Sequence, residues 1–268
     1  MLFDLQNVEL DRPAGTGFRL VIENLQVAAG ERLAVTGPSG CGKSTTLDLL
    51  GMTLRPTAVE RFRFSPDAES SAGKDAGSVD VASLWRARDL DAMADIRRRW
   101  LGYVLQTGEL LPFLSVFENI QLTARLAGKS MRQAQSTAER LAEKLEIKPL
   151  FPKMPSQISI GERQRAAIAR ALASSPKVIL ADEPTASLDP AHARSAMQLL
   201  LDAVEEEKAT LILVSHDLAL VEEFGLEQIQ VTVRSDAGGR ATARLSRTAP
   251  RAEAGADENH APAFALQP

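Results

Sequence analysis

Gly37-Pro38-Ser39-Gly40-Cys41-Gly42-Lys43-Ser44 is the stretch that decides the fold. It satisfies G-x-x-x-x-G-K-[S/T] in full, and its flanks suit it. Arg32–Thr36 before it reads as a short buried strand, and Thr45–Met52 after it has helical spacing. Glycines admit positive φ angles, so successive backbone N–H groups can turn inward to phosphate oxygens. A helix beginning near Lys43 adds the favourable field of its N-terminus. Gly37, Pro38, Ser39, Gly40, Cys41, Gly42, Lys43, Ser44 and Thr45 are therefore the expected nucleotide-binding set. Lys43 would reach the β- and γ-phosphates, and the Ser44 hydroxyl would bind Mg²⁺. Cys41 is expected only to be small. Gly128-Lys129-Ser130 repeats the last three letters, but Thr123 stands where the first glycine belongs and no strand precedes it, so it reads as a helix–helix turn.

The next chemical signal lies downstream. Val178-Ile179-Leu180-Ala181-Asp182-Glu183 is an apolar strand that ends in two acids. Adjacent strand residues point in opposite directions, so the two carboxylates take different roles. Asp182 is expected to hold Mg²⁺, and Glu183 to orient and deprotonate an attacking water.

Around these motifs the chain alternates strand and helix. Leu2–Leu10 and Phe18–Val27 read as half-exposed strands joined by a turn at Pro13–Gly17, and residues 65–78 read as a mobile polar loop. Val81–Trp100 reads as one charge-laced helix, followed by a strand at Gly102–Leu105. Three S-x-x-E/Q pairs, Ser115 with Glu118, Ser130 with Gln133 and Ser159 with Glu162, predict capping boxes on three helices. Strand 178–181, helix 191–207, strand 211–214 and helix 218–224 then predict a parallel sheet covered by helices. A last strand at Ile229–Val233 is expected to turn at Ala237-Gly238-Gly239, and the Ala/Pro-rich segment from Thr248 to Pro268 to be disordered.

The 268 residues suit one large domain or two small ones, with 44% hydrophobic and 25% charged residues. A net charge of −4 gives no basic face for nucleic acid, so none is expected as a partner. Cys41 is the single cysteine, which excludes an intrachain disulfide and suits a reducing cytoplasm. No apolar run approaches the ~20 residues of a membrane helix, and Asp4 sits where a signal peptide would carry lysines.

With these motifs in place, residues 2–246 resemble the ATP-binding cassette family. The resemblance implies an α/β fold: a P-loop NTPase (RecA-like) core with an antiparallel β subdomain and an inserted helical subdomain at about 107–175. It implies one ATP-binding domain over 1–246 and a tail over 247–268. Gln106 matches the family's glutamine that contacts Mg²⁺ and the nucleophilic water. Ser159-Ile160-Gly161-Glu162-Arg163-Gln164-Arg165, read from Ile158, resembles the family signature. Ser187-Leu188-Asp189 resembles its D-loop, and His216 in Val214-Ser215-His216-Asp217 its switch histidine. The implied catalytic residues are Glu183, His216 and Gln106, with Ser44, Gln106 and Asp182 at Mg²⁺. Ser159, Gly161 and Glu162 would close on ATP held by a second copy, in a head-to-tail dimer holding two ATP molecules.

Two positions depart from the pattern. Ile160 stands where the family has glycine, and a β-branched residue beside the phosphate site is expected to slow hydrolysis. Leu10-Asp11-Arg12-Pro13 offers no aromatic for the adenine, leaving the Arg12 guanidinium plane or Phe18. The segment Leu110-Leu111-Pro112-Phe113-Leu114-Ser115-Val116-Phe117-Glu118-Asn119 is similar to the lipoprotein-releasing and macrolide-export branch. There it would line a groove for a short helix of an integral membrane permease, docking near Glu109–Phe117 with Leu110, Leu111, Phe113 and Phe117 as the apolar surface. The implied protein is a transporter or envelope-complex ATPase, peripheral on the inner face of the plasma membrane. Two alternatives stay open here: an ATP-binding regulatory module with weak hydrolysis, and a cassette ATPase unconnected with transport.

Overall fold

Period-two alternation governs the centre of the molecule. In the strand Val178–Asp182, Val178 and Leu180 face one apolar cluster while Ile179 and Ala181 face another. The neighbouring strand Thr210–Val214 divides the same way, Ile212 and Val214 against Leu211 and Leu213. A strand that is apolar on both faces must be covered on both, which is the situation of a parallel sheet flanked by helices.

The computed structural model describes residues 1–12, 17–66, 77–235 and 241–247. In chain order the elements are β1 (Phe3–Asp11), β2 (Phe18–Val27), β3 (Arg32–Thr36), α1 (Lys43–Leu50), β4 (Ala58–Phe64), β5 (Val79–Asp80), α2 (Val81–Ala87) and α3 (Leu90–Trp100). They continue with β6 (Leu101–Val104), α4 (Val116–Leu126), α5 (Met131–Lys144), α6 (Ile160–Leu172), β7 (Val178–Asp182) and α7 (Pro190–Glu206). The last are β8 (Thr210–Val214), α8 (Leu218–Glu223), β9 (Glu227–Ser235) and β10 (Ala241–Arg247). The described strands form one sheet of ten in the order β5-β4-β1-β2-β10-β9-β3-β8-β7-β6.

From β9 to β6 every pairing is parallel. From β5 to β2 every pairing is antiparallel, and β10 joins the halves by pairing parallel to β2 and antiparallel to β9. The antiparallel wing is thus continuous with the core sheet. One apolar cluster fills the space between the wing and α1–α3, and the other lies among α4–α8 on the opposite face of the parallel strands.

The three expected capping boxes are present, at Ser115, Ser130 and Ser159. Ser130 starts α5 just after Gly128 at φ +93°, so Gly128-Lys129-Ser130 is the helix–helix turn expected of it. The expected single helix over Val81–Trp100 is two. Arg88 takes φ +55° at the end of α2, and the Asp89 carboxylate accepts the Ala92 N–H to start α3. Strands β4 and β10 were not anticipated, and α1 begins at Lys43, where the loop was expected to open a helix. The expected features at 13–16, 67–76, 236–240 and 248–268 lie outside the described residues.

Candidate active site

Strand β3 lies between β9 and β8, near the middle of the parallel strands, and delivers the glycine-rich loop to their C-terminal edge. Gly37, Gly40 and Gly42 take φ of +148°, +73° and +101°. A side chain at Gly37 would lie 2.7 Å from the Val231 carbonyl oxygen, so both conformation and space demand glycine there. Lys43 Nζ folds back over the loop and donates to the Gly37 and Pro38 carbonyls, both at 3.0 Å. Cys41 is buried, and burial pushes its thiol up, away from the reactive thiolate.

Asp182 closes the loop from behind, its Oδ1 accepting the Ser44 hydroxyl at 3.0 Å. Burial pushes the Asp182 carboxyl up, against the opposing pull of that hydroxyl. Farther in, Tyr103 Oη donates to Asp48 of α1 at 3.3 Å, and burial followed by the Asp48 charge raises its phenol well above the usual range.

Glu183 follows β7 with φ +46°, a left-handed conformation unusual for glutamate. Its N–H bonds the Val214 carbonyl at 3.1 Å. The turn sends its carboxylate between two others: Oε2 lies 3.2 Å from His216 Nδ1 and 3.5 Å from Gln106 Nε2. Gln106, Glu183 and His216 follow β6, β7 and β8, which are adjacent, so strand order brings together residues more than a hundred positions apart.

A cleft of about 580 Å³ runs along the loop as far as Glu183, lined by Arg12, Phe18, Ser39, Gly40, Gly42, Lys43, Ser44, Thr45, Glu183 and Ala241. Both base-side candidates wall it. Arg12 Nη2 donates to Thr45 Oγ1 at 2.9 Å, and the Phe18 ring fills the place a Cβ would take at Gly42. Ser159, Gly161 and Glu162 do not line this cleft. They form the start of α6, where Ser159 N and Oγ donate to Glu162 Oε2 at 2.8 Å each and hold that carboxyl below its usual range. Asp189 caps α7 and accepts from His192, whose hydrogen bond lowers the Asp189 carboxyl.

The apolar surface expected along 110–117 needs correction. Leu110 is buried in the core, and Phe117 packs on Phe151 with ring centroids 4.8 Å apart. Phe113 is left 71% exposed at the tip.

Sequence reasoning gave no role to Asn119, which is fully buried and holds this segment in place. Asn119 Oδ1 accepts the Leu111 N–H at 2.8 Å, and Nδ2 donates to the carbonyls of Leu111, Leu114 and Ser115 at 3.2, 3.0 and 2.9 Å. The signal was an amide one position after a capping-box glutamate, where a helix face should be apolar. Arg170, placed among alanines of α6, was passed over for the same reason.

The oxygen donors of Ser44 and Asp182 are the hard ligands a small divalent cation prefers, and the half-buried carboxylate has a pKa that a bound cation would bring down. The inward-turned loop fits a polyphosphate. Both groups therefore suit the residues present.

The profile of the ABC transporter family matches residues 22–186. The lipoprotein-releasing system ATP-binding protein LolD of Idiomarina loihiensis is 40% identical over 203 residues, 76% of this chain and 81% of its own. LolD of Treponema denticola is 39% identical over 194 residues, 72% of this chain and 78% of its own. Among solved structures, the dimeric post-hydrolysis state of the ATP-binding cassette MJ0796, bound to ADP and Pi, superposes with a TM-score of 0.68 at 31% identity. It covers 85% of this chain and 94% of MJ0796.

Proposed function

Because the chain belongs to the ABC transporter family, we propose that its site residues work as the family's do, in a pair of copies that drives a membrane permease. The chain is the ATP-binding subunit of an ABC transporter and hydrolyses ATP. The observation that carries the proposed roles is that Ser44 and Glu183 both line the loop cleft, the first bonded to Asp182 and the second approached by Gln106 and His216.

In this reading, residues 37–45 bind the triphosphate through backbone N–H groups, with the Lys43 ammonium swinging from the loop carbonyls to the phosphates. Ser44, Asp182 and Gln106 would hold Mg²⁺, which supplies charge neutralisation at the phosphates. Glu183 orients water and takes its proton on the carboxylate, which His216 and Gln106 hold by its Oε2. Arg12 and Phe18 wall the base.

The separation of Ser159, Gly161 and Glu162 from the cleft supports a head-to-tail pair, in which each copy's α6 N-terminus closes on its partner's nucleotide. The MJ0796 cassette is dimeric in its post-hydrolysis structure. Residues 1–246 would make up the ATP-binding domain, with a helical subdomain near 107–175. Among the described residues no helix is long and apolar enough to cross a membrane, so attachment to the inner face would run through a permease docked on Glu109–Phe117 around Phe113.

Purification of tagged chain from detergent-solubilised membranes tests this reading. A stoichiometric polytopic protein is expected, lost on Phe113→Asp while ATP binding persists. Recovery of soluble partners alone would overturn the permease assignment and leave the ATPase standing.

A further inference from the structure

The turn that carries Gln106 is gripped from outside the nucleotide cleft. It closes with the Gly108 N–H on the Leu105 carbonyl at 2.9 Å. Gly108 at φ +74° and Glu109 at φ +26° then turn successive carbonyls to α6. Arg170 Nη1 donates to the Glu109 carbonyl at 2.8 Å, and Nη2 to that of Gly108 at 3.4 Å. One heptad earlier on the same helix face, Arg163 packs so closely that a side chain at Gly108 would lie 3.1 Å from its carbonyl oxygen and 3.2 Å from its Cγ.

Around Arg170, residues Ala166–Ala169 and Ala171–Leu172 are buried and apolar. The half-buried guanidinium bridges the two carbonyls from the edge of this apolar face, so releasing them costs the helix both of its ties to the turn. Helix α6 is capped by Ser159 and tied to α4, where Thr123 Oγ1 donates to the Arg170 carbonyl at 2.8 Å.

We infer that Arg170 is a positioning residue that yokes the Gln106 turn to α6, so that Gln106 and the Ser159 end of the helix move as one piece. A change at 106–109 reaches Ser159 through the helix, and closure at Ser159 is felt at Gln106. The inference rests on the proposed roles of Gln106 and Ser159, and two readouts separate its failure from theirs.

The first readout is a double-mutant cycle on the full chain, with Arg170→Met, Gln106→Ala and their combination assayed for steady-state hydrolysis, nucleotide Kd and Tm. Arg170→Met is expected to lower kcat by about 10-fold through misplacement of Gln106, with KM for ATP within about twofold. Arg170→Lys, which keeps one donor head, should recover part of the loss. The combined variant should cost no more than the worse single one, because both remove the same positioning. Multiplied losses, or an Arg170→Met kcat equal to wild type, would overturn the yoke. If Arg170→Met does not fold, Arg170→Lys takes its place in the cycle under the same criteria.

The second readout is hydrogen exchange at 105–109 and 159–165 with and without Mg·ATP. In the wild type both segments should gain protection together, and in the Arg170 variant the gain at 105–109 should be lost while that at 159–165 remains. Joint protection preserved in the variant overturns the yoke even if Gln106→Ala hydrolyses normally, an outcome that would separately overturn the role given to Gln106.

Discussion

Glu183 and His216, at the ends of the adjacent strands β7 and β8, meet with Oε2 3.2 Å from Nδ1. The imidazole thus stands where it can hold the carboxylate in line, and loss of the carboxylate's basicity should stop turnover without disturbing the loop. Glu183→Gln keeps the shape and removes the base. Its kcat should fall about 10²- to 10⁴-fold, the usual worth of a general base, with nucleotide affinity unchanged. Light scattering should show an ATP-dependent dimer accumulating in this variant. A monomer with and without Mg·ATP would count against the paired arrangement.

Asn119 makes four hydrogen bonds from a fully buried position. Asn119→Ala takes the partner from the Leu111 N–H and the Leu114 carbonyl, while the Leu111 and Ser115 carbonyls keep the backbone N–H groups of Leu114 and residue 119. Such orphaned groups cost about 1–3 kcal/mol each where water cannot reach them. A total loss of about 2–4 kcal/mol in urea unfolding is expected, within the range of buried-network lesions. A loss below 1 kcal/mol would mean that the segment holds its shape by other contacts.

Ile160 opens α6 and is 55% exposed, beside the N–H groups that would face a partner's phosphate. Ile160→Gly should raise kcat several-fold by clearing the approach, at a cost of about 0.5–1 kcal/mol in helix stability. Hydrolysis measured at saturating ATP decides the matter, and an equal or lower rate sinks the idea.

Acid should weaken two helix starts together. Hydrogen bonds from Ser115 and Ser159 hold the Glu118 and Glu162 carboxyls below the usual range. A lowered carboxyl contributes stability above the ordinary glutamate pKa and loses it as pH falls through the lowered value. The double variant Glu118→Gln/Glu162→Gln keeps a carbonyl acceptor that does not titrate. Its Tm should lie on the order of 1–2 °C below wild type at pH 7, with the gap closing or reversing at pH 3. A gap unchanged with pH would assign the boxes no linkage to protonation.

What the sequence reveals follows how local the cause is. The loop at 37–44 and the three capping boxes are legible because each depends on residues within one turn of chain. Strand β4 was missed although Arg61-Phe62-Arg63-Phe64 alternates, since its partner β1 lies about fifty to sixty residues away. The break between α2 and α3 hides in Arg88, a residue that ordinarily continues a helix, and only its left-handed φ and the Asp89 cap reveal it. Gln106, Glu183 and His216 could be named individually from a resemblance. Their meeting depends on the order β6-β7-β8, which no one of the three segments encodes. Leu110 and Phe117 misled because apolar character alone does not tell a docking surface from a core.

The contact between Phe18 and Gly42 reaches beyond nucleotide chemistry. The ring at the start of β2 stands 2.6 Å from where a Cβ at position 42 would be, so the wing acts as one half of a mould for the loop. A peptide covering residues 35–45, cut from the protein, would carry every letter of the motif and lose the wall it is cast against. The loop's shape belongs to the assembled sheet, and a graft that carried the motif into another scaffold would need to bring a substitute for that ring.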